Sequence, residues 1–272
     1  MRGAIRLYAR PKLKSPILQA ARPGLGNVAL IVASYLKSKL NFKELGEVEA
    51  PLFFDPIGVS VKENIVEAPQ FPASAFFYWK NRTGDSDIIL FIGEDQPSSK
   101  GYELAHCVLD VGLKFQAGRV YTFAAAMTRM HHTENPKVWG VSTVPELTGD
   151  LKKHNLVQAG NLQIAGLNGL LLGAAKERGV EGICLLAEVP VYASRIQNPM
   201  AALAVVKALL KVLDIKLDVS DLEQLAAETK EKMKQLAAQA MGEYIDFFTE
   251  PIWESGESEE EDEENGGNGE EN

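Results

Sequence analysis

Residues 16–36 read PILQAARPGLGNVALIVASYL, and this stretch decides the fold class. Residues 16–21 are a short apolar run that stops at a turn, the pattern of a buried strand. Arg22-Pro23-Gly24-Leu25-Gly26-Asn27 is dense in residues that turn the chain. Over residues 28–40 the apolar side chains of Val28, Ile31, Val32, Tyr35 and Leu36 recur at helical spacing and share one face. A strand, a glycine turn and a helix, in that order, open an α/β unit.

The alternation continues outward. Residues 46–54 read as extended until Asp55-Pro56 breaks them, and 57–61 read as a further strand. Residues 74–80 and 88–93 are β-rich runs around the turn cluster Asn81-Arg82-Thr83-Gly84-Asp85, which predicts a hairpin. Residues 99–115 place Tyr102, Ala105, His106, Leu109 and Leu113 at helix spacing. Strands are expected over 119–126 and 139–144, and Pro145-Glu146 opens a short helix. A helix over 166–178 stops at Gly179, suited to a left-handed C-cap. A strand over 182–187 and a helix over 199–213, with proline in its first turn, follow. Ser220 and Glu223 have the spacing of a capping box for a last helix that runs to about residue 248 and is closed by Pro251. These elements predict one three-layer α/β domain over residues 1–253, with a mixed, largely parallel central sheet and a long C-terminal helix.

That last helix lines up Leu222, Leu225, Ala226, Thr229, Met233, Leu236, Ala237, Ala240, Tyr244 and Phe248 along one stripe. Burying such large side chains stabilises by about 1.5–3 kcal/mol each as an upper bound. The stripe therefore faces either the body of this chain or a second copy.

Charge separates body from tail. The chain has 272 residues and a formal net charge of −9, but residues 254–272 carry ten acidic residues and no basic one. Removing those ten from the 37 acidic residues leaves 27 against 28 basic ones, a nearly neutral body. Such a body has no basic stripe for nucleic acid. The Glu, Gly, Ser and Asn of the tail have no means of building a core, so residues 254–272 are expected to be a disordered acidic appendage. No apolar run is long enough to span a membrane, and the first ten residues lack the apolar core of a signal peptide. Cys107 and Cys184 lie in apolar stretches and read as buried thiols, which fits the reducing cytoplasm.

Three constellations are candidates for a pocket or interface. Gly24-Leu25-Gly26-Asn27-Val28-Ala29 fits G-x-G-x-x-A between a strand and a helix, the setting of a dinucleotide fingerprint. There, backbone N–H groups at a helix N-terminus would hold a pyrophosphate, with Glu44, Glu47 or Glu49 as the ribose-binding acid. The competing reading is a tight turn that needs glycine for its backbone angles. His131-His132-Thr133-Glu134 has two adjacent histidines whose side chains diverge, with no further ligand at metal spacing; it reads as a polar surface loop turned by Asn135-Pro136, and no metal site is assigned. Glu188-Val189-Pro190-Val191-Tyr192 starts at the C-terminal end of a strand, where α/β proteins bind ligands. Glu188 and Tyr192 could reach a pocket there, Pro190 fixes the exit of the chain, and Asn198 before Pro199 can cap the next helix. Gly24, Gly26, Asn27, Glu188, Pro190, Tyr192 and Asn198 are thus the candidate residues. No serine elbow, phosphate-binding lysine loop or activated thiolate is present, so no catalytic residue and no cofactor is assigned.

The order of these segments carries a resemblance. The glycine turn and its helix come first, followed by Ile88-Ile89-Leu90-Phe91-Ile92-Gly93 with Gln96-Pro97-Ser98, then His132-Thr133-Glu134-Asn135-Pro136. Gly166-Leu167-Asn168-Gly169-Leu170-Leu171 follows, and then Glu188-Val189-Pro190-Val191-Tyr192 with Asn198-Pro199-Met200-Ala201-Ala202. Over about residues 16–227 this order resembles the proteasome assembly chaperone family, in the branch of the second eukaryotic assembly chaperone, whose prokaryotic members were formerly labelled an ATP-grasp superfamily. The resemblance implies a domain similar to the nucleoside phosphorylase fold, self-association into a homo-oligomer, and action by binding rather than by catalysis. Archaeal relatives that dock on the proteasome use a C-terminal hydrophobic-Tyr-x tripeptide. This chain ends Glu270-Glu271-Asn272, so proteasome subunits are not assured as its client.

Three readings follow. The first is a non-enzymatic oligomeric assembly factor with a protein client. The second is a nucleotide-dependent carboxylate-amine ligase, with Gly24 and Gly26 near the phosphates. The third is a small-molecule binding or hydrolytic protein using a phosphorylase-like pocket, with Glu188 or Tyr192 on the ligand.

Overall fold

The computed structural model describes residues 4–56, 58–158 and 160–249. In chain order the elements are β1 (Ile5–Leu7), β2 (Ile17–Ala21), α1 (Val28–Lys39), β3 (Lys43–Val48), β4 (Val61–Lys62), β5 (Ile65–Val66), β6 (Ser74–Trp79) and β7 (Ile88–Gly93). They continue with α2 (Gly101–Lys114), β8 (Arg119–Thr128), β9 (Val138–Ser142), α3 (Glu146–Lys153), β10 (Val157–Gln158), α4 (Gly166–Glu177), β11 (Glu181–Pro190), α5 (Pro199–Val212) and α6 (Ser220–Thr249).

Nine strands form one mixed sheet in the order β1-β3-β6-β7-β2-β8-β11-β9-β10. Its centre, β7-β2-β8-β11, is parallel. The meander β1-β3-β6 is antiparallel and joins β7 antiparallel, and β9 runs antiparallel to β11 on the other side. All five residues of β2 are buried, as a strand covered on both faces requires. Alternate side chains serve opposite layers. Ile17 and Ala21 pack with α1, α3, α5 and Leu222 of α6, whereas Leu18 and Ala20 pack with α2 and α4. This is the three-layer α/β domain that the sequence predicts.

Local chemistry sets the element ends. Gly179 adopts φ +65°, its N–H donates to the Lys176 carbonyl at 3.2 Å, and the Val180 N–H donates to the Ala175 carbonyl at 2.8 Å. The two bonds make a Schellman end for α4. Asn198 caps α5 with its side-chain oxygen, and Pro199 is the first helical residue. The start of α6 departs from the expected capping box. The Ser220 hydroxyl donates to Asp218 at 3.0 Å, and Glu223 pairs with Lys207 on α5 at 2.6 Å. A charged partner within reach draws Glu223 away from the helix start.

The stretch expected to be extended over 46–54 is strand only to Val48, followed by a tight turn at Ala50–Leu52. Of the strand expected over 57–61 only Val61 is paired, at the start of the small hairpin β4-β5; residues 58–60 are irregular, and Ile57 lies outside the described residues. By packing, the chain divides into Met1–Lys230 and Glu231–Asn272, with the division inside α6. Within the first unit Leu222 and Ala226 of the stripe are buried and Leu225 is exposed. The side chains of Leu236, Ala237, Ala240, Tyr244 and Phe248 lie outside the described residues, as do Pro251 and the acidic stretch 254–272. Among the described residues no helix is long and apolar enough to cross a membrane.

Candidate functional site

The parallel strands β7, β2, β8 and β11 release their chains at one edge of the sheet, the edge at which α/β proteins take ligands. After β2, Gly24 is extended, Gly26 takes φ +60° and Asn27 takes φ +49°. The Asn27 N–H donates to the Gly24 carbonyl at 2.9 Å, and the Gly26 N–H donates to the Ser194 carbonyl at 2.9 Å. The Asn198 N–H returns a bond to the Gly26 carbonyl at 2.8 Å. A Cβ on Gly26 would meet the Asn198 Cβ at 3.1 Å. Asn198, fully buried, accepts the Ala201 N–H on its Oδ1 at 3.0 Å. Gly26, Asn27 and Asn198 therefore form one junction between the loop after β2 and the loop after β11. The Gly26 and Asn27 amides that a pyrophosphate would need already have acceptors within the chain. Gly24 makes no such contact, since a Cβ there would meet nothing within 4 Å.

Tyr192 and His132 form the second contact at this edge. The Tyr192 hydroxyl accepts the His132 backbone N–H at 2.8 Å and lies 3.0 Å from the His132 Nδ1. His132 is 4% exposed, which corrects the expectation of a polar surface loop for that residue: Tyr192 gives its backbone and ring a polar partner away from water. His131 stays exposed, with its Nδ1 2.7 Å from the Thr133 hydroxyl and its N–H on the Glu134 carboxylate at 2.8 Å. Among the described residues no three His, Cys, Asp or Glu side chains gather as a metal site. Glu188 accepts the Lys137 N–H at 3.1 Å and donates its own N–H to the Lys137 carbonyl at 3.1 Å. Its carboxylate thus secures the lead-in to β9, and Pro190 ends β11 as a buried residue.

Arg22, an ordinary turn residue by sequence, has a distinct place at this edge. It is fully buried, an unusual place for a guanidinium. Its Nη2 donates to the Ser74 hydroxyl, and its Cζ lies 5.1 Å from the centre of the Phe54 ring and 5.4 Å from that of Phe91. Ser74 and Gly93 are paired across β6 and β7, and a Cβ on Gly93 would overlap the guanidinium. The Asn168 amide donates to the Arg22 carbonyl at 3.4 Å. Gln96 donates to the Pro23 carbonyl at 2.7 Å and accepts the Leu167 N–H at 3.1 Å, so the start of α4 is tied to the glycine turn. Burial lowers the Arg22 pKa to about 10, opposed by the nearby Asp95. The one sequence signal for it is an arginine directly after five residues of buried strand.

Around this buried framework lies an apolar rim. Leu25, Met127, Val191, Tyr192 and Ile196 belong to segments at the ends of the adjacent strands β2, β8 and β11, and each is between 39% and 59% exposed. Glu188 and Tyr192 are engaged in holding the loops of this edge, and the five apolar side chains are exposed among polar neighbours such as Arg129, Arg195 and Gln197.

The comparisons with known proteins agree with the order of motifs. A model of the PAC2 family matches residues 20–237. An uncharacterised protein of Methanocaldococcus jannaschii is 28% identical over 218 residues, which cover 79% of this chain and 80% of that protein. In structure the chain is similar to Pyrococcus furiosus PbaB, an archaeal proteasome activator, with a TM-score of 0.73 and 28% identity over 86% of this chain and 98% of that one. It is also similar in fold to Pyrococcus furiosus PbaA, an archaeal homologue of proteasome-assembly chaperone, with a TM-score of 0.66 and 24% identity over 88% of this chain and 99% of that one.

Proposed function

This chain belongs to the PAC2 family, and from that premise we propose that it is a non-enzymatic assembly factor that self-associates and binds a protein client. The observation that carries the reading is the set of exposed apolar side chains Leu25, Met127, Val191, Tyr192 and Ile196 beside a junction in which Gly26, Glu188 and Tyr192 bond neighbouring loops. An enzyme keeps its nucleophile, base or oxyanion donors free to meet a substrate. Here Asn198, Glu188 and Tyr192 are engaged in joining loops. Exposed apolar surface of this kind is what a protein partner covers. Proteasome subunits are the first clients to try, because PbaB is an activator of that particle. The two free cysteines fit the reducing cytoplasm as its setting.

Native mass spectrometry of the full chain, drawn gently from its own cells, tests the reading. The expected spectrum is a homo-oligomer carrying substoichiometric protein clients. Val191→Asp with Ile196→Asp, both exposed positions, is expected to keep the fold and lose the clients. An organic small molecule held at one per subunit and consumed on addition of a co-substrate would overturn it.

A further inference from the structure

We propose that the β4-β5 hairpin is an arm by which one copy of this chain covers the strand-end edge of the next, lying on Leu25, Met127, Val191, Tyr192 and Ile196. This rests on the self-association proposed above and gives it a place. Glu63 and Asn64, at φ +50° and +61°, make the tight turn of the hairpin. Val61 and Val66 stand directly opposite each other and share a face. Val59, Val61, Ile65 and Val66 are between 53% and 70% exposed, and every residue of both strands is exposed. The hairpin is no part of the nine-stranded sheet. A two-stranded hairpin alone in water is marginal, and exposed β-branched side chains gathered on one are suited to covering another surface.

Two observations make that surface a second copy. The first is place. Gly93 pairs with Ser74 and Glu47 with Ala75, so β3 ends and β6 begins at the edge where β7, β2, β8 and β11 release their chains. The segment 49–73, which holds the hairpin, thus starts and ends at the same edge as the five apolar side chains. Copies that turn this edge towards one another bring each arm to the next copy's apolar side chains, and such a set closes, with a pair as its smallest case. The second is charge. The arm carries Glu63 and Glu67 against the single Lys62, whereas the exposed Arg129 and Arg195 flank the apolar side chains. Among the described residues none of Glu63, Glu67, Arg129 and Arg195 has an ion-pair partner within its own chain. Opposite charges around an apolar centre specify a partner and its register. A client then takes the edge by displacing an arm, which fits clients bound at less than one per subunit.

The test is cross-linking in the full-length protein. Val66→Cys and Val191→Cys, both at exposed positions, are placed on separate chains of different mass, co-expressed and treated with a short bis-maleimide. The natural cysteines are buried, so the wild type serves as the blank. The expected product joins one chain of each kind, with far less from either variant alone. Val61→Asp with Val66→Asp is expected to keep the folded subunit and to weaken association by about tenfold or more in sedimentation equilibrium. Arg129→Glu with Arg195→Glu is expected to do the same, and adding Glu63→Arg with Glu67→Arg is expected to restore association. With both cysteines on one chain, a product within the chain and none between chains would make the hairpin a lid over its own edge and overturn the proposal. An oligomer that yields no mixed product and survives the aspartate variants would overturn it and leave self-association standing. A monomeric wild type would overturn both.

Discussion

The backbone N–H of Asn198 donates to the carbonyl of Gly26 at 2.8 Å, and Gly26 donates in turn to Ser194 at 2.9 Å. These bonds join the loops after β2 and β11, which are not neighbours in the sheet, across the end of β8. The glycine motif therefore works as half of a clasp, and its two glycines have unequal duties.

Replacing them separately exposes the difference. Gly26 holds φ +60° and faces Asn198 at 3.1 Å, whereas Gly24 is extended with open space around it. Gly26→Ala is expected to destabilise by about 1–3 kcal/mol from backbone strain and crowding. Gly24→Ala is expected to stay within about 0.5 kcal/mol of the wild type. Urea unfolding of the two variants checks this. Equal losses would mean that conformation at Gly26 is not what the turn depends on.

Much of the fold was legible because its signals are local. The strand at 17–21, the helix after it, the hairpin of β6 and β7 and the glycine end of α4 follow from periodicity and turn chemistry within a few residues. Strands β1 and β10, of three and two residues, are too short to show a period and exist through pairing with distant partners. The site was legible in part for the same reason. Asn198 as a cap is a local matter, but its contact with Gly26 and that of Tyr192 with His132 join residues far apart in the chain. Arg22 was missed because a charged residue at a turn ordinarily faces water, and only Phe54, Ser74 and Phe91, brought in by the loop before β4 and by β6 and β7, bury it.

The contact of Gly93 with Arg22 predicts a coupled pair. Gly93→Ala forces a Cβ into the guanidinium and is expected to destabilise by about 1–3 kcal/mol, the usual range for overpacking. Arg22→Met gives the site a flexible side chain that can move aside. In a double-mutant cycle by thermal unfolding, Gly93→Ala is expected to do less harm in the Arg22→Met background than in the wild type. Simple additivity would show that the harm arises elsewhere, for example in the β6-β7 ladder.

Asn198 predicts a cap effect at a buried site. Its Oδ1 accepts the Ala201 N–H at 3.0 Å, and the residue is fully buried. Asn198→Ala leaves that N–H without its partner and is expected to destabilise by about 1–2 kcal/mol. Asn198→Ser restores an acceptor and is expected to recover most of the loss. Guanidinium unfolding midpoints of the three proteins check the order. A serine variant as weak as the alanine variant would shift the explanation from the cap to the lost volume of the amide.

Asp221 ties the first turn of α6 to α1 through charge, and this makes part of the stability pH-dependent. Lys39 pairs with its carboxylate at 2.7 Å and the Tyr35 hydroxyl donates to it at 2.7 Å. Those two bonds, Lys39 first, hold its pKa down to about 2, aided by the Leu222 N–H. An unfolded aspartate titrates near about 3.9. A carboxyl whose folded pKa is depressed binds its proton more readily when unfolded, so its contribution is fully present above the unfolded value. It is lost as the pH falls from there through the folded value. The melting temperatures of the wild type and Asp221→Asn are therefore expected to differ by a constant amount from neutral pH down to about pH 4, and to converge between that point and about pH 2. Because the pair is exposed, the gap is expected to be small and to shrink in high salt. A gap that persisted unchanged at the acid end would mean that Asp221 holds α6 by shape and neutral hydrogen bonding, with the Lys39 charge irrelevant.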